Sequence, residues 1–458
     1  MNRKSDLKNK VYTVKIDGVG SDGQGVGRLN DGFAVFVPNA LPGETVSALI
    51  IKVKSNYCVG KLLEVVVPSD SRVKPDCPVA LRCGGCSLLH CAYPFQLDLK
   101  QQIVEQAFGR IGKFADPPIA RIIAGQPFRY RNKSIFPVSE SDGLPQIGFY
   151  SKRSHTVVSV EDCLIEPEIN SRVIKLIGGY IADSGISIYN ENSHSGLLRH
   201  VLLRVGFATG EVMVCLVING DGIPKPSLLI EQFINDIPGF STMAINKNKS
   251  RTNVVLGDQT TTLYGSGVIH DYIGDLRFEI SPVTFFQVNA TQTKVLYDIV
   301  LEFASLTGAE VVIDAFCGIG TISLFLARFA KHVYGVEIVS ESVLSAKRNA
   351  EANSIHNVTF YNEPAESWLP AFSQNIKSNP DIIVLDPPRK GCDVELLQAI
   401  GSLSLRKVIY VSCDMGTLAR DTRRLADMGY VLMAVQPVDM FPQTSHVEAV
   451  VLLEHLGM

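Results

Sequence analysis

The sequence lacks the features of a membrane protein and those of an exported one. No stretch of its 458 residues approaches the roughly 18 uninterrupted apolar residues that cross a bilayer. The opening segment, MNRKSDLKNK, is polar and has no apolar segment behind it, so no secretory signal is predicted there. We therefore expect a cytoplasmic protein with no membrane partner.

A strong excess of either charge is also missing. The chain has 43 Lys and Arg against 46 Asp and Glu, a formal net charge of −3, which argues against a nucleic-acid-binding surface that covers the whole chain. Residues 1–74 differ from the rest, with 11 Lys and Arg against 7 Asp and Glu. This local positive charge is compatible with binding to RNA phosphates and equally with a solvated surface.

Three segments of different texture divide the chain. Residues 1–67 contain four or five short β-rich runs between Gly-rich turns, which predicts a small, OB-like β-barrel. Residues 68–280 predict a mixed central domain, in which TNVVLGD is a strand and residues 94–112 form an amphipathic helix that can pack on the third segment. In residues 281–458 strands alternate with helices, which predicts an α/β fold with a doubly wound, mostly parallel sheet.

A glycine-containing loop and an acidic side chain follow two of the predicted strands. The sequence DAFCGIG, Asp314–Gly320, lies between a strand and a helix, so its backbone can approach a ligand at the helix N-terminus. Glu337 ends the next strand, where a carboxylate can accept hydrogen bonds from a ribose diol. Ser323 replaces the third glycine of the dinucleotide fingerprint, which disfavours NAD and FAD. With Asp314 before it and Glu337 after it, the loop instead resembles the S-adenosylmethionine site of class I methyltransferases.

Three further side chains are expected at the same edge of the sheet. Asp386 closes the strand DIIVLD, and the Pro-Pro-Arg389 sequence follows it. Cys413 comes directly after the strand VIYVS, where a deprotonated thiol can act as a nucleophile. Glu448 opens the last strand and is a candidate general base, since a buried carboxylate is costly unless it is used or paired. The Asp-Pro-Pro sequence leaves an amino-group methyltransferase open as an alternative.

Ten cysteines are the unusual feature of the composition. Without an export signal they are expected to be reduced, which disfavours a disulfide framework. Cys83 and Cys86 flank a Gly-Gly turn, Cys77 lies six residues before Cys83, and Cys163 lies far downstream. Four thiolates suit either an iron–sulfur cluster or tetrahedral zinc, and the spacing does not choose between them. Cys91 competes with these four as a ligand candidate.

Taken together, these motifs resemble the RNA uracil-5 methyltransferases, which make 5-methyluridine in tRNA and in large-subunit rRNA. The resemblance covers nearly the whole chain. It implies a Rossmann-like class I methyltransferase domain, an N-terminal TRAM domain, the cofactor S-adenosyl-L-methionine and a 4Fe-4S cluster, with zinc as the alternative metal. The implied ligands of the cluster are Cys77, Cys83, Cys86 and Cys163. The implied cofactor-binding residues are Gln287 in SPVTFFQVN, Phe316, Gly318, Glu337 and Asp386, and the implied catalytic residues are the nucleophile Cys413 and the base Glu448.

The resemblance also implies a mechanism and a substrate. The Cys413 thiolate would add to carbon 6 of uracil, carbon 5 would accept the methyl group, and Glu448 would remove the proton from carbon 5. The target would be an unstacked loop uridine that contacts Phe285 or Phe286. A TRAM domain together with cluster cysteines favours 23S rRNA over tRNA, and a monomeric enzyme is expected. A non-catalytic iron–sulfur RNA-binding protein is the alternative from another functional class.

The chain departs from the family at the nucleophile. The family's Ser-Cys-Asn-Pro reads Ser412-Cys413-Asp414-Met415 here. Because proline restricts the backbone, its loss predicts a less rigid loop after Cys413.

Overall fold

A closed five-stranded barrel forms the N-terminal part of the chain. The computed structural model describes residues 7–375, 380–455 and 457, so the first six residues of the polar N-terminal segment lie outside it. The barrel strands, in the order β1-β2-β3-β5-β4, are β1 (Val11–Val19), β2 (Gly25–Arg28), β3 (Ala34–Val37), β4 (Thr45–Val53) and β5 (Tyr57–Val67). Alternate side chains point into the barrel and are buried, which is the pattern of a β-strand with one buried face. The predicted small barrel is confirmed.

A helix follows the barrel and packs against the C-terminal part of the chain. Helix α1 (Tyr93–Arg110) matches the predicted amphipathic helix closely. Its residues Val104, Ala107 and Phe108 join the hydrophobic core on one face of the C-terminal sheet. Helix α1 therefore follows the barrel in the chain and also packs on the C-terminal sheet.

The central part is a seven-stranded sheet with helices packed on it. Its strands, in the order β12-β11-β10-β9-β6-β7-β8, are β6 (Lys133–Ser141), β7 (Leu144–Tyr150), β8 (Val157–Ser159), β9 (Leu198–Val205), β10 (Val212–Ile218), β11 (Phe240–Lys247) and β12 (Gln259–Tyr264). Helices α2 (Ile169–Ser184) and α3 (Pro226–Asp236) cover its apolar face. The predicted strand TNVVLGD is wrong: the Asn248 side chain donates to the carbonyls of Val254 (2.7 Å) and Val255 (2.8 Å), which holds this segment as a loop.

The C-terminal part is a seven-stranded, doubly wound sheet. Its strands are β15 (Val311–Ala315), β16 (His332–Val336), β17 (Val358–Tyr361), β18 (Ile382–Leu385), β19 (Lys407–Ser412), β20 (Tyr430–Val438) and β21 (Glu448–His455). They lie in the order β17-β16-β15-β18-β19-β21-β20. The first five strands in this order are parallel, and β21 runs antiparallel to both neighbours.

Helices connect the strands of this sheet. They are α5 (Thr321–Ala327), α6 (Ser340–Ala352), α7 (Ala365–Asn375), α8 (Val394–Leu403) and α9 (Met415–Ala426). A hairpin, β13 (Ile269–Ile273) and β14 (Leu276–Ile280), and helix α4 (Ala290–Ala304) precede the sheet and share its core.

This sheet confirms the predicted α/β fold with a mostly parallel sheet. Its strands are continuous apolar runs because helices cover both faces. In the described part of the chain, no helix combines the length and the apolar character needed to cross a membrane.

Candidate active site

Strand register brings Cys413 and Glu448 face to face. Ser412, the last residue of β19, pairs with Ala449 in the antiparallel strand β21. Cys413, which follows Ser412, and Glu448, which precedes Ala449, therefore lie opposite each other. Asp386 follows β18, which is the parallel neighbour of β19. One end of the sheet thus holds a thiol and two carboxyl groups.

The two carboxyl groups lie in a setting that favours their protonated forms. Glu448 is 3% exposed, and within the described residues its Oε2 atom has no hydrogen-bond partner. Burial, and next the charge of Asp386, raise the pKa of Glu448 to about 8. Burial, and next the charge of Asp314, raise the pKa of Asp386 to about 7. A carboxyl group with a raised pKa is a stronger base once ionised, as proton abstraction near neutral pH requires.

The Cys413 thiol is half-buried between opposing charges. Burial, and next the charge of Glu448, raise the pKa of Cys413, whereas the hydrogen-bonded guanidinium of Arg389 acts in the opposite direction. A neighbouring cation stabilises a thiolate, the form of cysteine that attacks carbon. Sequence reasoning assigned no role to Arg389; its place after Asp-Pro-Pro, at the carboxyl end of β18, was the available signal.

Helix α9 holds the loop that carries Arg389. The buried carboxylate of Asp421 accepts a hydrogen bond from the backbone N–H of Cys392 (3.0 Å), and the Thr417 hydroxyl donates to the carbonyl oxygen of Arg389 (3.2 Å). Gly391 has a φ of +79°, and a Cβ there would lie 2.4 Å from the Asp421 carboxylate. The loop therefore requires glycine at this position because the backbone approaches Asp421 closely.

The loop after the nucleophile is held by side-chain hydrogen bonds. Asp414 is the N-cap of α9, and its carboxylate accepts from the N–H of Thr417 (2.9 Å). Its own N–H donates to the Ser412 hydroxyl (3.1 Å). An N-cap of this kind contributes about 1 kcal/mol. These contacts restrain the loop in a chain that has Met415 where the family has proline.

The glycine-containing loop after β15 offers an open surface for a ligand. Phe316 and Gly318 have φ values of +86° and +54°, and the space beside the Gly318 Cα is empty. The Gly318 N–H donates to Glu337 Oε2 (3.1 Å). Asp314 accepts from the Ser323 hydroxyl at 2.5 Å, while its Oδ1 atom has no partner among the described residues. An open glycine loop between two carboxylates fits an adenosyl cofactor.

The SPVTFFQVN segment is held against the same edge by the central sheet. Gln287 is buried, and its backbone carbonyl oxygen accepts a hydrogen bond from the Asn132 side chain (3.0 Å). Phe286 is 2% exposed and belongs to the hydrophobic core, whereas Phe285 is 66% exposed. Of the two aromatic side chains expected to contact a base, only Phe285 is accessible, and the expectation for Phe286 is wrong.

Helix α1 holds residues 439–447, the loop that leads into Glu448. Lys100 and Asp439 form a fully buried ion pair, and Lys100 also donates to the carbonyl oxygen of Phe441 (3.0 Å). The Gln96 side chain donates to the Gln443 side chain (2.9 Å) and accepts from the Gln443 N–H (3.1 Å). These positioning residues were missed because polar side chains on an amphipathic helix indicate a solvated face.

Comparisons with known proteins match this arrangement. The family model described as tRNA (Uracil-5-)-methyltransferase matches residues 273–456, and that of the TRAM domain matches residues 7–63. An uncharacterized RNA methyltransferase of Halalkalibacterium halodurans is 48% identical over 449 residues, which cover 98% of this chain and 97% of the relative. One of Clostridium tetani is 45% identical over 452 residues, with coverage of 98% and 97%. The chain belongs to the RNA (uracil-5-)-methyltransferase family.

A crystal structure with the same fold accompanies these relatives. The tRNA (uracil-54, C5)-methyltransferase of Pyrococcus abyssi, in complex with S-adenosyl-L-homocysteine, superposes with a TM-score of 0.78 at 24% identity, covering 96% of this chain and all of that one. The resemblance inferred from the motifs is therefore confirmed. The chain is therefore an RNA (uracil-5-)-methyltransferase by family.

The four predicted cluster cysteines of this methyltransferase line one cavity. The cavity has a volume of about 490 Å³ and reaches from these thiols to Arg389, Cys413 and His446. Cys91 lies elsewhere, packed with Leu88 and Leu99, so it no longer competes as a ligand. The four cysteines are Cys77, Cys83, Cys86 and Cys163.

Across the described residues, no three His, Cys, Asp or Glu side chains are grouped to hold a metal ion. The choice between an iron–sulfur cluster and zinc therefore rests on the cysteine motif of the sequence alone.

Proposed function

We propose that this enzyme methylates carbon 5 of a loop uridine in 23S rRNA, with Cys413 as nucleophile and Glu448 as base. The observation that carries the proposal is the facing pair of thiol and carboxyl group at the ends of β19 and β21. Methylation of an amino group requires neither a thiol nor a second buried carboxyl group at this position. A non-catalytic RNA-binding protein would likewise leave Glu448 buried without a use.

The proposed chemistry begins at Cys413. Its thiolate bonds to carbon 6 of uracil, and the electron pair of the 5,6 double bond moves towards carbon 5 and the neighbouring carbonyl. Bound S-adenosyl-L-methionine supplies the methyl group that carbon 5 accepts. The Glu448 carboxylate then takes the proton of carbon 5, the C–H electrons restore the double bond, and the sulfur leaves with its electron pair as thiolate.

Other residues of the site would orient and protect the base. We assign Gln287 and Asp386 to the orientation of uracil or of the methionine end of the cofactor, because Asp386 follows β18 at this edge of the sheet and Gln287 precedes Val288, which lines the cavity at Cys413. Phe316, Gly318 and Glu337 would bind the cofactor through the open loop after β15. The exposed ring of Phe285 is suited to stack on a base outside a helix.

The test uses an RNA hairpin in which the target uridine is 5-fluorouridine, since fluorine is not removed as a cation. We expect the wild-type enzyme with S-adenosyl-L-methionine to form an adduct that survives denaturing gels. The Cys413→Ala variant should form no adduct, and it should make no 5-methyluridine in the same hairpin with an ordinary uridine. Cys215 is a buried cysteine of the central sheet, and Cys215→Ala should keep both activities. An active Cys413→Ala variant would refute the mechanism and favour an amino-group methyltransferase.

The choice of RNA is tested in cells. Nucleoside mapping of 23S rRNA and of tRNA from a deletion strain and its parent should show loss of 5-methyluridine at one or more 23S positions only. Re-expression of the wild-type gene should restore the modification and the Cys413→Ala gene should not. Loss from tRNA alone would assign the enzyme to tRNA and overturn this part of the proposal.

We also propose that the four cysteines hold a 4Fe-4S cluster with a structural role. The backbone N–H groups of Ser87 and Leu88, directly after Cys86, donate to the Gln443 carbonyl oxygen (3.1 and 3.0 Å). The Ser87 hydroxyl accepts from the N–H of Ser445 (2.9 Å). The cysteine segment therefore contacts the loop that leads into Glu448, and a cluster would brace that loop.

Purification without oxygen tests the cluster. We expect brown protein with about four irons and four sulfides per chain. Cys86→Ser should lose the iron and the colour, whereas Cys91→Ser should keep both because Cys91 packs away from the cavity. Colourless protein that holds zinc would refute the cluster.

A further inference from the structure

A second cavity meets Cys413 from a different direction. It has a volume of about 450 Å³ and is bounded by the β1–β2 hairpin, helix α1 and the start of α9. Its described lining includes Cys413 but not Gln287, Asp386 or Glu448, so it adjoins the place where the target uracil would react. It is large enough for a nucleotide.

The barrel contributes one wall of this cavity. Gly23, at the tip of the β1–β2 hairpin, has a φ of +72°, and a Cβ there would lie 2.8 Å from the Cβ of Ser445. The hairpin is therefore packed tightly against the loop that leads into Glu448. Its neighbour Asp22 lines the cavity near His446. Burial, and next the charge of Arg389, lower the pKa of His446, and the charge of Asp22 acts in the opposite direction.

The remaining walls combine the groups that a nucleotide needs. Arg110 and Arg389 supply guanidinium groups for phosphate oxygens. Apolar side chains, which can pack on the face of a base, lie between them. They are Ile103, Ala107, Ile111 and Met415. The Asp22 carboxylate is an acceptor at the rim, and the Gln106 amide is both donor and acceptor.

We propose that this cavity binds a nucleotide adjacent to the target uridine and that Asp22 selects a base with an amino group at that position. A carboxylate only accepts hydrogen bonds, so it pairs with the exocyclic amino groups of adenine, cytosine or guanine. Uracil presents a single N3–H donor flanked by two carbonyl oxygens, which an ionised carboxylate repels, so it pairs less well with Asp22 than a base with an amino group does. The inference rests on the proposed function, because the neighbour is defined by the methylated uridine.

The experiment compares RNA hairpins that differ only in the base on the 5′ or the 3′ side of the target uridine. We expect uracil at one of these positions to lower the wild-type kcat/KM for 5-methyluridine formation at least fivefold, the smaller end of a base contact, mainly through KM. Asp22→Ala should remove this discrimination. Asp22→Asn should reduce it, because an amide also donates to a carbonyl.

Asp17→Asn is the matched control, since Asp17 is an exposed carboxylate of the same barrel, on β1, and lies outside the cavity. It changes charge as Asp22→Asn does and should leave the base preference intact. Equal methylation of all hairpins by the wild-type enzyme, or an unchanged preference in Asp22→Ala, would overturn the inference while the proposed function stands. If the wild-type enzyme methylates no hairpin and forms no 5-fluorouridine adduct, the proposed function itself fails.

Discussion

The two sides of Cys413 differ in charge and in access to water. On one side, along the edge of the sheet, lie the carboxyl groups of Asp314 on β15, Asp386 after β18 and Glu448 on β21, and burial raises the pKa of each. On the other side, Arg389 and His446 border both open cavities, and burial lowers the pKa of His446. The enclosed acidic side suits proton removal, and the open basic side suits RNA phosphates.

The comparison explains why the nucleophile lies at the boundary between them. A cysteine surrounded only by buried carboxyl groups would stay protonated, because burial and negative charge both raise the pKa of a thiol. A cysteine on the basic side alone would be far from the base and the cofactor loop. Cys413 contacts Arg389 and faces Glu448, so it has a thiolate-stabilising neighbour and remains within reach of the base.

The largest expected effect comes from removing the base on the acidic side. Glu448→Gln should lower 5-methyluridine formation by about 10²–10⁴-fold, the usual contribution of a general base. The covalent complex with unmodified RNA should accumulate, because Cys413 still adds but carbon 5 keeps its proton. Glu454→Gln, a half-buried carboxylate on the same strand, should retain activity. Full turnover by Glu448→Gln would assign the base elsewhere.

Removing the buried ion pair of Lys100 and Asp439, which holds the loop at residues 439–447, should lower the stability of the protein. Lys100→Met leaves Asp439 buried without its cation and should lower the free energy of unfolding by about 3–5 kcal/mol in urea titrations. Lys294→Met, which breaks an exposed pair with Asp298, should cost less than about 1 kcal/mol.

A positioning role for Lys100 predicts more than lost stability. At temperatures where Lys100→Met stays folded, its kcat should fall more than its KM rises, and Lys100→Arg should recover part of both. A stability loss with normal kcat would give the pair a purely structural role.

The smallest expected effect is the dependence on pH. The pKa of Glu448 is raised to about 8, so its base form becomes scarcer below that value. Turnover should therefore rise with pH towards about 8, by at most tenfold per unit for this single ionisation. The pKa of Cys413 is also raised, so the rate of 5-fluorouridine adduct formation should rise with pH as well. In Glu448→Gln the adduct should still show its own pH dependence. If turnover did not change between pH 6 and 8, the proposed difference in charge between the two sides of Cys413 would be contradicted.

The edge of the sheet could be predicted from the sequence because it depends on local order. Apolar runs that alternate with helical patterns define parallel strands, and the carboxyl ends of parallel strands meet at one edge. Asp314, Asp386 and Cys413 each lie at the end of such a run, so the sequence pattern alone places them at one edge. The TNVVLGD segment shows where prediction from local sequence fails. Its composition suits a strand, but the Asn248 side chain donates hydrogen bonds to its carbonyl oxygens and holds it as a loop.

The sequence by itself determined the N-terminal barrel, the mostly parallel C-terminal sheet, the family motifs and the residues that follow the strands, because these depend on periodicity and on short-range order. Only the tertiary structure decided that Phe286 is buried, that Lys100 pairs with Asp439 and that Asp22 of the barrel reaches the cavity at Cys413. These contacts join residues that are far apart in the chain. No local pattern encodes them, since they depend on how the β13–β14 hairpin, helix α1 and the barrel each pack against the C-terminal part of the chain.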